Sequence, residues 1–272
     1  MNRTTIKNFV SSLQRRLFPT SGQLCFECNI CGHKNVLLAD QLQREGGACS
    51  WCGSVVRFRS IAAILSTLLY NEIVPLPRFK TDKKIIGLGM SDAACYASLL
   101  SEKFSYTNSY YHKEPFFDIT NIKESDHQKY DFVISSDVFE HVLSPVQRAF
   151  DNLYQILKPD GKIIFSVPYK MIGETDEHFP VLNEFSVQKE PSGEWVLLNK
   201  NANNEIERYT NLVFHGGQGA TLEMRLFSLE ALIKNLSVAG FSDIKVHSEP
   251  AFESGIYWAQ PFGIPISARK LA

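Results

Sequence analysis

The stretch "YDFVISSDVFEHVLSPVQRAFDNLYQILKPDGKIIFSVP", residues 130–168, decides the fold. It opens on a short apolar run, 130–136, of β-branched and aromatic residues. After a polar break the apolar positions fall at helical spacing over 144–157, with Pro145 suited to a first helical turn. Lys-Pro-Asp-Gly at 158–161 makes a turn, and a second apolar run follows at 162–168. Strand, helix and strand in this order form a parallel crossover unit.

The alternation continues on both sides. Upstream, "KKIIGLG" (83–89) predicts a buried strand, and "SDAACYASLLSEKF" (91–104) a helix with Ser91 or Asp92 as N-cap. "YTNSYY" (106–111) predicts a strand. Downstream, "SLEALIKNLSVAG" (228–240) predicts a helix closed by Gly240, with "FSDIKVHSE" (241–249) and "GIYWAQPF" (255–262) as the last strands. The expectation is an α/β fold with a doubly wound, mostly parallel, seven-stranded Rossmann-like sheet. Residues 169–224 break the rhythm. "GEWVLLNK" and "IERYTNLVF" predict a hairpin about "NANNE", inside an insertion placed to wall or cover a pocket.

Ahead of the linker "VPLPRFKTD" (74–82) lies "CNICGHKNVLLADQLQREGGACSWCG", residues 28–53. Two Cys-x-x-Cys turns separated by seventeen residues each aim a pair of thiolates at one point, so Cys28, Cys31, Cys49 and Cys52 predict a structural Zn²⁺ ribbon. Gly32 and Gly53 follow the second cysteine of each pair, where a tight knuckle needs positive φ. Cys25 makes a third Cys-x-x-Cys step with Cys28 and stays outside the predicted set. Four thiolates leave zinc no open position, so the metal is expected to hold shape. Residues 1–59 are read as an N-terminal helix (Phe9, Val10, Leu13 and Leu17 on one side) plus this ribbon, and 60–272 as the main domain. If the segment around Arg57-Phe58-Arg59 is extended, both arginines point to one side, toward a substrate anion or toward acids that dock the ribbon.

The 272 residues are 44% hydrophobic with a formal net charge of -1, which excludes a polyanion binder as a whole. Residues 1–60 are the basic part, with eight Lys/Arg against three acids. No stretch approaches the roughly 18 apolar residues of a membrane span, and six cysteines without a secretory leader fit a reducing cytoplasm.

Ligands of open α/β sheets bind beyond the carboxyl ends of the strands. Gly89 to Asp92 after the first strand, His112 and Glu114 after the second, Asp118 after a third, and Ser135 to Asp137 after the fourth are expected to gather there. Asp137, Glu140 and His141 stand at i, i+3 and i+4, so a helical turn puts them on one face and leaves a second metal open.

The runs Ile85-Ile86-Gly87-Leu88-Gly89, Asp118-Ile119-Thr120, "YDFVISSDVFEHV" and "ILKPDGKIIFSVP" together resemble the class I S-adenosylmethionine-dependent methyltransferases. The resemblance is good over about residues 83–168 and looser over 228–250. With the cysteine head, "VRFRS" and "FHGGQGATLEMRLFS", the chain is similar to a bacterial subgroup of these enzymes. The resemblance implies that Gly87, Gly89 and Ser91 form the cofactor turn and that Asp118 accepts from the adenine amino group with Ile119 beside the ring. It also implies that Ser135 and Ser136 line the sulfonium end. Gly87 stands where the family carries an acid and Ser91 where it often carries glycine; Glu114 is the nearest carboxylate for the ribose hydroxyls. His141 and His178 are the candidate acid–base groups, because imidazole titrates near neutral pH. His215 is read as setting a turn. The reading is methyl transfer from S-adenosylmethionine to a small molecule or glycan. Two alternatives stand beside it: methylation of rRNA or another nucleic acid, and a non-catalytic cofactor-binding scaffold. The sequence leaves the acceptor atom and the oligomeric state open.

Overall fold

The computed structural model describes residues 22–179 and 181–271. The amphipathic helix expected around Phe9–Leu17 lies outside the described residues. Strands β1 (Gln23–Glu27) and β2 (Lys34–Leu38) pair antiparallel and carry the first knuckle between them. Gly32 and Gly53 adopt φ of 79° and 70°, the left-handed turns that the cysteine pairs need.

Helix α1 (Val56–Tyr70) follows the second knuckle at once. The extended segment expected at Arg57–Arg59 is therefore helical, and the two side chains leave in different directions. The apolar run "IAAILS" supplies the driving force: Ile61 to Ser66 are all buried. Helix α1 crosses the boundary expected at residue 59, and one hydrophobic core runs unbroken from Leu24 and Phe26 in the ribbon to Ile164 and Phe165 in the sheet.

The body is β3 (Ile86–Met90), α2 (Ala94–Lys103), β4 (Ser105–Ser109), β5 (Tyr130–Ser136), α3 (Gln147–Ile156) and β6 (Leu157–Ser166). The short pieces β7 (Tyr169–Lys170) and β8 (Asp176–Glu177) come next, then β9 (Glu184–Lys189), β10 (Trp195–Lys200) and β11 (Ile206–Tyr209). The chain closes with β12 (Phe214–His215), β13 (Thr221–Leu222), β14 (Arg225–Ser228), α4 (Leu229–Ala239), β15 (Ser242–Val246) and β16 (Ile266–Arg269).

The central sheet has the order β15-β16-β6-β5-β3-β4. Strands β6, β5, β3 and β4 run parallel; β16 is antiparallel to β6, and β15 is antiparallel to β16. The chain moves from β3 through α2 to β4 in one direction, and from β5 through α3 to β6 in the other. Crossovers of one handedness then place α2 and α3 on opposite faces, and the switch point falls between β3 and β5.

Among the described residues the sheet has six strands where seven were expected. Asp118 does not follow a third strand: between β4 and β5 the chain makes one bridge, Tyr110 to Phe116, and then turns. Asp118 closes one of these turns by accepting from the Thr120 backbone at 2.8 Å and its hydroxyl at 2.7 Å. "GIYWAQPF" is not a strand either. Ile256 bridges only Ala251, Pro261 and Gly263 interrupt the run, and the last strand is β16. In α4 Ser228 caps the first turn and Gly240 ends the helix at φ 104°.

The insertion forms a three-stranded sheet, β11-β10-β9, with the hairpin turning about residues 201–205. Phe179, Leu197, Leu222 and Met224 form a small core of their own, apart from the main one.

Candidate functional site

A cavity of about 560 Å³ opens at the carboxyl ends of β3, β4 and β5, beside the switch point. Met90 and Ser91 line it after β3, Ser109 and Tyr110 after β4, and Asp137 and Val138 after β5. Asp118, Ile119 and Thr120 form one wall, His141 and His215 another.

At the first end, Ser91 turns with φ of 59° and its backbone N–H donates to Ser109 O. The absence of an acid at position 87 has a packing cause. Tyr106 and Phe132 stack 5.8 Å apart at 15°, and any Cβ on Gly87 would overlap both rings. A Cβ on Gly89 would likewise meet the Tyr106 hydroxyl and the Asp92 carboxylate. Asp92 therefore does not cap α2, whose N-cap is Ala93 with no side-chain bond. Its carboxyl is buried and hydrogen-bonded to Tyr106, and burial pushes its pKa up to about 7.

Asp118 lines the cavity while its Oδ1 accepts from the Thr120 backbone and hydroxyl. Ile119 is buried and its carbonyl accepts from Asn152 at 2.7 Å, which fixes this wall to α3. Glu114 faces away: it is exposed and accepts from its own neighbour's backbone, Phe116 N, at 2.9 Å. Ser135 and Ser136 do not line the cavity. The Ser135 hydroxyl is buried without a partner, and Ser136 accepts from Arg57.

At the second end a turn of 3-10 helix, Phe139–His141, carries Glu140 and His141. Asp137 leaves this group. Its backbone takes φ of 56°, and its carboxylate meets Arg44 at 2.5 Å and Arg57 at 3.2 Å. The place expected for Asp137 is filled by His215 from the insertion. His215 Nδ1 lies 3.5 Å from Glu140 Oε1, and its Nε2 lies 2.8 Å from Glu223 Oε2. His141 Nδ1 donates to Leu222 O at 2.8 Å, so its Nε2 carries the lone pair, 3.8 Å from Glu140. His178 does not line the cavity; its Nε2 meets Glu223 Oε1 at 2.9 Å. Glu140 is fully buried, and neither carboxylate oxygen has a hydrogen bond of good geometry. Burial pushes Glu140 up to about 7 and holds His141 below its ordinary value. Glu140 first, then Glu223, lifts His215 to about 10.

Buried Arg225 holds this turn in place. It donates to the carbonyls of Phe139 and Val142, which flank Glu140 and His141, and pairs with Glu177 at 2.6 Å. Met224 N also donates to Glu140 O at 2.7 Å, so the insertion grips the turn twice. The sequence marks His215 only as a turn residue and does not single out Glu223 or Arg225. "FHGGQGATLEMR" looks like a flexible loop, and the residues gain meaning only when β12 and β13 pair.

In the ribbon, Cys28 and Cys52 sulfurs lie 3.7 Å apart and Cys31 and Cys49 3.6 Å apart. Two sulfurs each about 2.3 Å from a tetrahedral metal sit roughly 3.8 Å apart, so the set fits zinc; a disulfide at about 2.05 Å is excluded. Asn35 donates to Cys49 at 3.3 Å, the kind of outer contact that orients a thiolate. The hydrogen bond from Cys52 pulls Cys28 down to about 4. Cys25 is exposed and stands apart on β1.

The ribbon arginines turn inward. Arg44 binds Asp137, Ser166 and the Gly263 carbonyl. Arg57 binds Glu45, Ser136 and Asp137. Arg59 is fully buried and bonds the carbonyls of Gly47, Ser54 and Gly255. None of the three points to solvent.

A family model described as a methyltransferase domain matches residues 58–246. The chain is 25% identical over 181 residues to "Probable polyketide synthase 13" of Dictyostelium discoideum, covering 60% of this chain but only 6% of that protein. Among solved structures it is similar to a Burkholderia thailandensis 1,6-didemethyltoxoflavin-N1-methyltransferase (14% identity, TM-score 0.45, 79% of this chain and 78% of that one). A second is an S-adenosylmethionine-dependent methyltransferase from Clostridium acetobutylicum (11% identity, TM-score 0.40, 98% and 99%).

Proposed function

The chain belongs to the methyltransferase-domain family, and from that premise we propose that it methylates a small-molecule acceptor with S-adenosylmethionine. The observation that carries this reading is a cavity of about 560 Å³ with two unlike ends. Sites for small molecules run to roughly 300–1,000 Å³, so cofactor and a compact acceptor share such a space.

The residues present fit the cofactor. The Ser91 turn and the start of α2 would hold its amino-acid part, Asp118 with Ile119 its adenine, and Tyr110 its ribose, since Ser91, Tyr110, Asp118 and Ile119 all line the cavity. Glu114 takes no part in this assignment, and Gly87 with Gly89 supports the turn from below. When bound, the cofactor supplies a methyl group already activated as a sulfonium. The protein's share is alignment and removal of the acceptor's proton. That proton is lost at the Glu140–His141–His215 end, with His178 acting through Glu223. Zn²⁺ in the ribbon, on Cys28, Cys31, Cys49 and Cys52, is assigned to structure. The inward-turned arginines favour a small acceptor, or the end unit of a glycan, over nucleic acid, which demands exposed Lys/Arg on its phosphates.

Calorimetric titration with S-adenosylmethionine and S-adenosylhomocysteine tests the reading. Both are expected to bind, and Asp118→Ala to weaken them about tenfold or more, since a hydrogen bond to a charged group is worth about 1.5–3 kcal/mol. Equal heats for wild type and variant would put the adenine elsewhere.

A further inference from the structure

We propose that Glu140, His141 and His215 form a second metal site, distinct from the ribbon, that takes a divalent first-row transition ion at the acceptor end of the cavity. The three ligand atoms lie within 4.8 Å of one another. Two donors each about 2.1 Å from one ion sit roughly 3.4 Å apart at the tetrahedral angle. Glu140 Oε1 lies 3.5 Å from His215 Nδ1 and 3.8 Å from His141 Nε2, close to that separation and too long for good hydrogen bonds.

Three further features point to an ion. First, the Glu140 carboxylate is fully buried, and both oxygens lack a hydrogen-bond partner among the described residues. A buried, unsatisfied carboxylate costs several kcal/mol in general, and a cation between the three groups removes that cost. Second, the ring nitrogens facing away from the centre are both occupied. His141 Nδ1 donates to the Leu222 carbonyl, and His215 Nε2 to the Glu223 carboxylate, which also binds His178. Such outer partners hold each ring with its other nitrogen turned inward, the arrangement found around metal-bound histidine, and an ion bound there would displace the proton that His215 Nδ1 otherwise shares with Glu140. Third, the ligands are held rigidly. Arg225 clamps the carbonyls on either side of Glu140–His141, and the Glu140 carbonyl is tied to Met224.

Two imidazoles and one carboxylate suit zinc, iron, cobalt or manganese, and leave positions for an exogenous oxygen. His141 and His215 line the cavity, so the open positions face the acceptor. This deepens, and rests on, the functional reading above: the acceptor class becomes an oxygen ligand, such as a phenol or enol. Its O–H, once coordinated, gives its proton to solvent and leaves an oxyanion for methylation. Here His141 acts as a ligand and does not itself take the proton.

Manganese discriminates this site from the ribbon, because thiolates select zinc and manganese prefers oxygen and nitrogen. The full-length protein, supplied with one equivalent of zinc, is titrated with Mn²⁺ and followed by electron paramagnetic resonance. One Mn²⁺ per chain is expected, with imidazole nitrogen coupling in the electron spin echo. His215→Asn and Glu140→Gln are each expected to weaken binding at least tenfold. Should the buried Glu140 variant fail to fold, partly exposed His215 and the wild-type nitrogen coupling still decide. Absence of a bound Mn²⁺ in wild type, or equal binding in both variants, overturns the proposal. S-adenosylhomocysteine is titrated in parallel. Its binding without Mn²⁺ sinks the metal site alone, and Mn²⁺ without its binding keeps the site and sinks the cofactor reading.

Discussion

The ribbon and the insertion both attach to the carboxyl edge of the sheet, and they do so in opposite ways. The ribbon shares the main core and sends three arginines inward, yet among its residues none lines the cavity. The insertion keeps a separate four-residue core but places His215, Gly216 and Thr221 on the cavity wall. One addition braces the site from behind; the other furnishes its surface. A structural element fused to the core resists change, whereas a semi-independent hairpin can vary without unfolding the sheet. Acceptor choice is therefore expected to reside in the insertion and stability in the ribbon.

The sharpest way to break this comparison is to remove the metal from the bracing side. On the proposed assignment of Zn²⁺ to the four cysteines, structural zinc in a module of this size supplies on the order of 10 kcal/mol of folding energy. Cys49→Ser, or a strong chelator, is expected to abolish the zinc stoichiometry measured by elemental analysis and to lower the melting temperature more than any other change considered. Because the ribbon core continues into α1, the loss is expected to spread to the body. A variant that melts with the wild type would show that the four sulfurs hold no ion.

The next largest effect is expected where the insertion grips the sheet. Arg225 is fully buried, with its guanidinium divided between Glu177 and two carbonyls. Arg225→Met leaves Glu177 and both carbonyls without it, and losing one partner of a buried pair costs about 3–5 kcal/mol. Urea denaturation measures this. A cost near zero would mean that the insertion merely rests on the turn.

The sequence made the sheet legible because its strands are short apolar runs set between turns, and that pattern survives any packing. It made the cysteine cluster legible because all four sulfurs are local to two turns. It did not show the loss of the third strand, since Asp118-Ile119-Thr120 has the residues of a strand end but binds itself into a turn. Nor did it show the acceptor end. Glu140 and His141 were visible as a pair, but their third member lies 74 residues on, in a loop rich in glycine. Asp137 was the natural local choice, and it is drawn away by arginines from the ribbon. Long-range ion pairs of this kind leave no periodic signature.

The cofactor end supplies a test by pH. Burial raises Asp92 to about 7 from an ordinary 3.8. Between about pH 4 and 7 the unfolded chain has released a proton that the native state keeps, so stability falls as pH rises through this window and levels above it. The slope from one group reaches about 1.4 kcal/mol per pH unit at most. Asp92→Asn is expected to flatten the stability profile across pH 4–7 and to gain on the wild type toward pH 7. Parallel profiles for the two proteins would show that Asp92 ionises freely, and that the packing beneath Gly89 is looser than described.

The smallest expected effect is also the one that separates bracing from binding. Arg57 could serve a substrate anion only if its guanidinium reached the cavity, but Glu45, Ser136 and Asp137 occupy it. Burial acts to lower the pKa of Arg57, but its hydrogen bonds to the Glu45 carboxylate and the nearby charge of Asp137 raise it on balance. The Glu45 contact is half exposed and worth little; the Asp137 contact is mostly shielded, and Arg44 remains to hold the same carboxylate. Arg57→Ala is therefore expected to cost only about 1–2 kcal/mol of stability. Affinity for S-adenosylhomocysteine and turnover per folded molecule should stay unchanged. A double-mutant cycle with Asp137→Asn measures the coupling directly. If the variant instead kept its stability and lost turnover, Arg57 would belong to the acceptor site, and the ribbon would furnish the cavity as the insertion does.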